Sequence, residues 1–223
     1  MPLSEITKRG VVRALSSNFD ASEVSSLLEA LDVLQNTSPP LRAASPNMGM
    51  YISGRYYDST FGALTSPPPY TGIAGRIDLI PFFTTQDLIV NEFSIGVLTG
   101  VASTNARILI YGSDINYQPS SKLYESPDLS TATSTTVPAH TQLFRFEANR
   151  MYWIGVQCSG APSLRGVRDY TLPSLGLVSN AASAGNTATI GRTVTYGAAP
   201  ASWGFLESDL SATLAPSVRF KVA

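Results

Sequence analysis

From Arg76 to Ala223 the chain reads as one strand after another, and this succession constrains the fold more than any other feature. Residues 76–83 (RIDLIPFF), 88–98 (LIVNEFSIGVL), 106–111 (ARILIY), 143–147 (LFRFE), 151–158 (MYWIGVQC) and 217–222 (SVRFKV) are rich in β-branched and aromatic side chains. Turn residues bound most of them. In the last run Val218, Phe220 and Val222 fall on one face, and Ser217, Arg219 and Lys221 on the other. Near-continuous apolar runs such as RILIY predict inner strands covered on both sides. So many strands without an intervening helix predict a mainly β chain, with an antiparallel, jelly-roll-like β-sandwich over residues 76–223. Residues 178–201 hold Ala, Gly, Ser and Thr with few large apolar groups, and are expected to form long loops or an edge hairpin.

Helical periodicity is confined to residues 1–36, read as an N-terminal anchor and oligomerisation segment. In DASEVSSLLEALDVL, residues 20–34, Val24, Leu27, Leu31 and Leu34 recur at spacings of three, four and three, the narrow seam of a coiled coil. Asp20 is placed to cap the first turn, and Glu23 to reach back to it. A helix this short is marginal alone, so its stripe needs cover from the rest of the chain or from copies of itself. Pro39, Pro40, Pro46 and Pro67 to Pro69 predict an extended, semi-rigid spacer over residues 37–75, with a strand near 51–57. That spacer favours self-association over a helix folded back on its own domain.

Charged residues make up 14% of the chain, below the roughly 25% of an average globular domain. With a net charge of -1 and a pI near 5.8, no electrostatic footprint for nucleic acid is present. No run approaches the roughly 20 apolar residues of a membrane span, so no membrane insertion is expected. Lys8 and Arg9 lack the apolar core of a secretory signal behind them, which predicts a soluble protein made in the cytoplasm.

Chemistry-bearing motifs are sparse. Cys158 is the only cysteine and His140 the only histidine, so neither an intrachain disulfide nor a Cys/His zinc site is available. His140 lies beside Pro138 without a visible nucleophile or orienting carboxylate, and reads as a satisfied or solvated side chain. No phosphate-cradling or dinucleotide-binding glycine pattern occurs, so no cofactor is expected. The acidic residues show no spacing that singles out a hydrolytic pair. Asp114 and Asn116 in GSDINYQP suit either a calcium loop or a hydrogen-bonded Asx turn, and the turn is preferred. No catalytic or metal-ligating residue is assigned. Four aromatics remain: Tyr117, Tyr170, Tyr196 and Trp203 lie in expected loops beside Gly, Ser, Asn or Pro. Exposed, they would form a neutral platform for a glycan; buried, they would plug the sandwich ends or a subunit interface.

Two longer phrases, RILIYGSDINYQPSSKLYES and ANRMYWIGVQCSG, resemble a β-sandwich module of tailed-bacteriophage fibre and adhesin proteins. In that pattern a strand ending in an Ile-Tyr pair leads through a small polar turn and a proline to a short apolar strand. A later turn introduces a strand that begins with an aromatic pair, here Tyr152-Trp153. GRIDLIPFF and LIVNEFSIGV look like its preceding strands, so the resemblance covers roughly residues 70–165. The family pattern has Gly before the aromatic pair, where this chain has Asn149-Arg150-Met151. The resemblance implies a homotrimeric virion fibre, tail or head, attached to other virion proteins by its N-terminal segment. Its β heads would face a host-surface polysaccharide or neighbouring virion proteins. It transfers no catalytic residue. A capsid head fibre or decoration protein without a receptor role stands beside it as an alternative. From other classes stand a cellular carbohydrate-binding module and a small polysaccharide depolymerase.

Overall fold

The computed structural model describes residues 51–59, 68–167, 189–211 and 215–223. The N-terminal segment with Val24, Leu27, Leu31 and Leu34 lies outside these residues, as do Tyr170 and residues 178–188. The described chain is mainly β. In order, the strands are β1 (Tyr56–Asp58), β2 (Pro69–Thr71), β3 (Arg76–Thr84), β4 (Leu88–Ile95), β5 (Val97–Thr99), β6 (Asn105–Ser113), β7 (Pro119–Glu125) and β8 (Leu129–Ser130). They continue with β9 (Ala139–Phe146), β10 (Arg150–Cys158), β11 (Ser163–Val167), β12 (Thr189–Thr193), β13 (Leu210–Ser211), β14 (Ala215–Pro216) and β15 (Val218–Val222). A short 3-10 turn, Glu207–Asp209, precedes β13.

The strand pairs are antiparallel and form three sheets. One runs β1-β15-β4-β9; the largest runs β13-β12-β3-β10-β6-β7, with β8 also on β6; the third is β14-β11-β2, with β5 also on β11. The first two sheets share a core. Phe93 and Ile95 of β4, Phe146 of β9 and Phe220 of β15 meet Phe82 of β3, Ile108 and Ile110 of β6, and Tyr152, Ile154 and Val156 of β10. Phe82, Phe146 and Phe220 pack ring on ring at centroid distances of 4.9 to 6.2 Å. Each such fully buried side chain contributes about 1.5–3 kcal/mol relative to leaving it in water.

Period-two alternation sends the other set of side chains to the opposite face of the large sheet. Ile77, Leu79, Leu109, Tyr111, Met151, Trp153 and Ile190 form a second buried cluster there with Ala199 and Trp203. The RILIY run is therefore covered on both sides as predicted, with Ile108, Leu109, Ile110 and Tyr111 all fully buried. Gly155 sits at the crowded centre of this sheet, where a Cβ would lie 1.8 Å from the Asp78 carbonyl oxygen.

Three local readings change. The YISGRYY stretch is strand only from Tyr56, because the backbone turns through Gly54 at φ +80°. Tyr51 and Tyr57 nevertheless pack on Phe220, and β1 pairs with β15. The described end of the 178–201 stretch is neither loop nor edge hairpin over Thr189–Thr193: β12 pairs with β3 on one side and β13 on the other. Its small residues fit because Gly191 lies against the Asp78 and Arg76 side chains, where a Cβ would meet Oδ1 at 2.2 Å. The strand expected at Leu143 starts at Ala139, since AHTQ carries no apolar alternation. In β4, inward residues step from Val90 to Phe93, and the register slips against both neighbours around Asn91. This is the signature of a β-bulge.

Candidate functional site

Of the residues predicted to carry function, Tyr196 and Trp203 belong to a strap, residues 194–206, that lies over the outer face of the large sheet, and Tyr117 lies in the turn between β6 and β7. The strap is tied down by side chains the sheet presents. Tyr111 Oη donates to the Pro200 carbonyl at 2.8 Å, Lys122 Nζ to the Ala199 carbonyl at 2.6 Å, and Gln157 Nε2 to the Thr195 carbonyl at 3.2 Å. Along the open edge of β7, the Lys122 N–H donates to the Ala201 carbonyl and the Trp203 N–H to the Ser120 carbonyl, both at 2.8 Å.

Trp203 is not an exposed platform: it is 2% exposed and belongs to the second core cluster. Its ring meets Tyr111 edge-on at 5.4 Å, the Arg192 guanidinium lies 4.9 Å from its centroid, and its indole N–H donates to Asp209 Oδ2 at 3.1 Å. Arg192 binds both Asp209 oxygens and also donates to the Trp203 and Gly204 carbonyls, at 2.7 and 2.8 Å. Burial overrides the local loop chemistry because Trp carries the largest apolar area in the strap.

Tyr196 is half-buried, with its hydroxyl donated to Asp128 Oδ1 at 2.8 Å and Arg107 lying 5.6 Å from its ring centroid. Arg107 bridges Asp128 and Glu125, while Lys122 pairs with the other Glu125 oxygen. Burial works against the charge of Glu125, but Lys122, Arg107 and the Ala199 N–H outweigh it and hold the carboxyl below the usual range. Hydrogen bonds from Arg107 and Tyr196 hold Asp128 low as well.

Among the described residues, Tyr117 is the predicted aromatic that stays open, at 66% exposure. It sits in the turn between β6 and β7, where Asp114 Oδ1 accepts the Asn116 and Gln118 N–H groups, both at 2.9 Å. The Asx turn is thus present. Tyr117 adopts φ +61°, and its carbonyl accepts the Trp153 indole N–H at 3.1 Å, which ties the turn to β10.

A buried network that sequence reasoning missed lies on the core side of the large sheet. Asp78 is 1% exposed, and accepts the Tyr70 hydroxyl and Arg76 Nε, the latter at 2.8 Å to Oδ1. Burial pushes its carboxyl up, against the pull of Tyr70 and Arg76. The available signal was RIDLI, where an Asp inside an apolar strand has an Arg two residues away on the same face. His140 is satisfied by Tyr124, its Nδ1 lying 2.8 Å from the hydroxyl. Among the described residues no group of three His, Cys, Asp or Glu side chains is placed to hold a metal ion. No described helix is long and apolar enough to cross a membrane.

On this face Arg107, Lys122 and Arg192 are paired with carboxylates, and the Tyr117 ring is presented to solvent. The carboxyl held up by its surroundings, Asp78, is sealed from any polymeric substrate. No protein-family model matches the chain, and no curated protein matches it either.

Proposed function

We propose that this chain is a non-enzymatic bacteriophage virion protein. It is a short homotrimeric fibre whose N-terminal segment attaches to the particle and whose jelly-roll-like β-sandwich head makes the outward contact. The observation that carries the reading is the placement of the two phrases behind the resemblance. RILIYGSDINYQPSSKLYES folds as β6, a tight turn and β7, and ANRMYWIGVQCSG as a turn and β10, which pairs directly with β6. One half of the resemblance therefore lies beside the other in a single sheet.

The glycan platform shrinks under this geometry. Trp203 is buried, Tyr196 is engaged by Asp128 and Arg107, and Tyr117 is left as the open ring among the described candidates. That favours a head fibre or decoration role, with the head touching neighbouring virion proteins, over a broad sugar-binding surface. A depolymerase would need a carboxyl held up and open to substrate, and two of the exposed carboxylates, Asp87 and Asp128, are instead held low, through the Ala148 N–H and Arg107 respectively.

Light scattering of the intact chain tests the assembly: three times the 23.7 kDa monomer mass is expected. Leu27→Asp with Leu31→Asp should return it to monomer while the β signal in circular dichroism persists. A wild-type monomer at micromolar concentration, or an unchanged mass in the variant, would reject the fibre reading. Immunogold labelling of intact particles separates capsid from tail attachment.

A further inference from the structure

We propose that residues 195–201 of the strap form an acid-opened latch: when Glu125 and Asp128 are protonated the strap lifts, uncovering an apolar patch and the edge of β7. The strap has no strand of its own over these residues, only bends, and is held by the side chains beneath it and by the Lys122 N–H on the Ala201 carbonyl. Two glycines at positive φ give the strap backbone freedom, Gly197 at +146° inside the segment that would move and Gly204 at +57° beyond it, with open space around both α-carbons. Beyond residue 201, Asp209 and Arg192 pin the chain at Trp203, giving a fixed end for the strap to swing from.

The charges that face the strap come from every element under it. β6 supplies Arg107, β7 supplies Lys122 and Glu125, the segment before β8 supplies Asp128, and β12 supplies Arg192, which is paired with Asp209. With the carboxylates ionised, these cations and anions balance. Glu125 accepts the Ala199 N–H at 3.2 Å and orients Lys122 Nζ towards the Ala199 carbonyl; Asp128 accepts the Tyr196 hydroxyl. Two protons taken up, one on each carboxyl, weaken these contacts and leave Arg107 and Lys122 as unpaired cations beside the strap. Because both carboxyls are held low by their partners, the latch stays closed through neutral and mildly acidic pH. Its contribution is present above the ordinary carboxylate range and is lost as pH falls through the depressed values. Opening would bare Leu109, the Tyr111 hydroxyl and the Lys122 N–H, a free strand-edge donor beside apolar surface, while Trp203 keeps its bond to the Ser120 carbonyl.

Hydrogen exchange read by mass spectrometry on the full chain tests this. In wild type taken well below the ordinary carboxylate range of about pH 4, corrected for intrinsic rates, strap and β7-edge amides should lose about tenfold protection, while the β10 amides keep theirs. Glu125→Gln with Asp128→Asn should show the same selective loss at neutral pH. If strap and β10 lose protection together, or if the strap amides stay protected in acid, the latch is refuted. Should the double variant not fold, the acid comparison on wild type decides alone.

Discussion

Tyr70 donates its hydroxyl to the buried carboxylate of Asp78, joining β2 of the small sheet to β3 inside the large one. Arg76 binds the same carboxylate through Nε. Two partners thus compensate a charge carried in the core row beside Val156. A buried charge that loses one hydrogen-bonding partner keeps its desolvation cost. Tyr70→Phe should therefore lower unfolding free energy by about 1.5–3 kcal/mol in denaturant titrations. A loss within about 0.5 kcal/mol would mean that the bond contributes nothing beyond its packing.

Gly191 faces this ion pair across the β3–β12 ladder. A Cβ there would lie 2.2 Å from Asp78 Oδ1 and 2.4 Å from an Arg76 guanidinium nitrogen. Gly191→Ala should cost about 1–3 kcal/mol by forcing that pair apart. Thermal unfolding measured beside Gly197→Ala, where nothing lies within 4 Å, separates this steric effect from backbone strain at positive φ.

At Tyr117 fold and contact pull in opposite directions. The residue holds φ +61°, a conformation that glycine adopts without strain, and its ring is mostly exposed. Tyr117→Gly should raise stability by up to about 1 kcal/mol, after the entropic cost of glycine. If the ring is the head's contact, the same variant loses binding to cells or particles. Unchanged binding would assign the contact elsewhere.

Burial first, and the Asp78 charge second, push the Cys158 thiol up to about 12. The thiol is free and 1% exposed. Thiol-labelling reagents at pH near 8 should leave the folded chain unmodified and react with one thiol per chain in denaturant. Rapid labelling of the native protein would mean that the β2–β10 corner opens.

The strands that could be read in the sequence are those whose side chains alternate or run apolar without interruption. Val218, Phe220 and Val222 declare β15, and RILIY declares a strand buried on both faces. β12 and the start of β9 stay hidden, because TIGRT and AHTQ carry little apolar pattern and become strands through their neighbours. The Asx turn at Asp114 was legible for a local reason: its carboxylate bonds N–H groups two and four residues away. The burial of Trp203 was not legible, because its flanking Pro, Ser and Gly describe backbone conformation and not what the indole rests on. Its cover comes from Tyr111, Arg192 and Asp209, six or more positions away along the chain.

Local chemistry in the chain was thus enough to make it β, to set which face of each regular strand is apolar, and to place its tight turns. Those outcomes depend on side-chain alternation and on hydrogen bonds a few residues long. The strap across the large sheet, the charge network that holds it and the burial of Asp78 were decided only when distant segments met. Long-range antiparallel pairing brings Arg107 to Glu125, Arg192 to Asp209 and Tyr70 to Asp78. Within that low-dielectric packing, a charge or an indole finds partners that its own neighbours in sequence do not foretell.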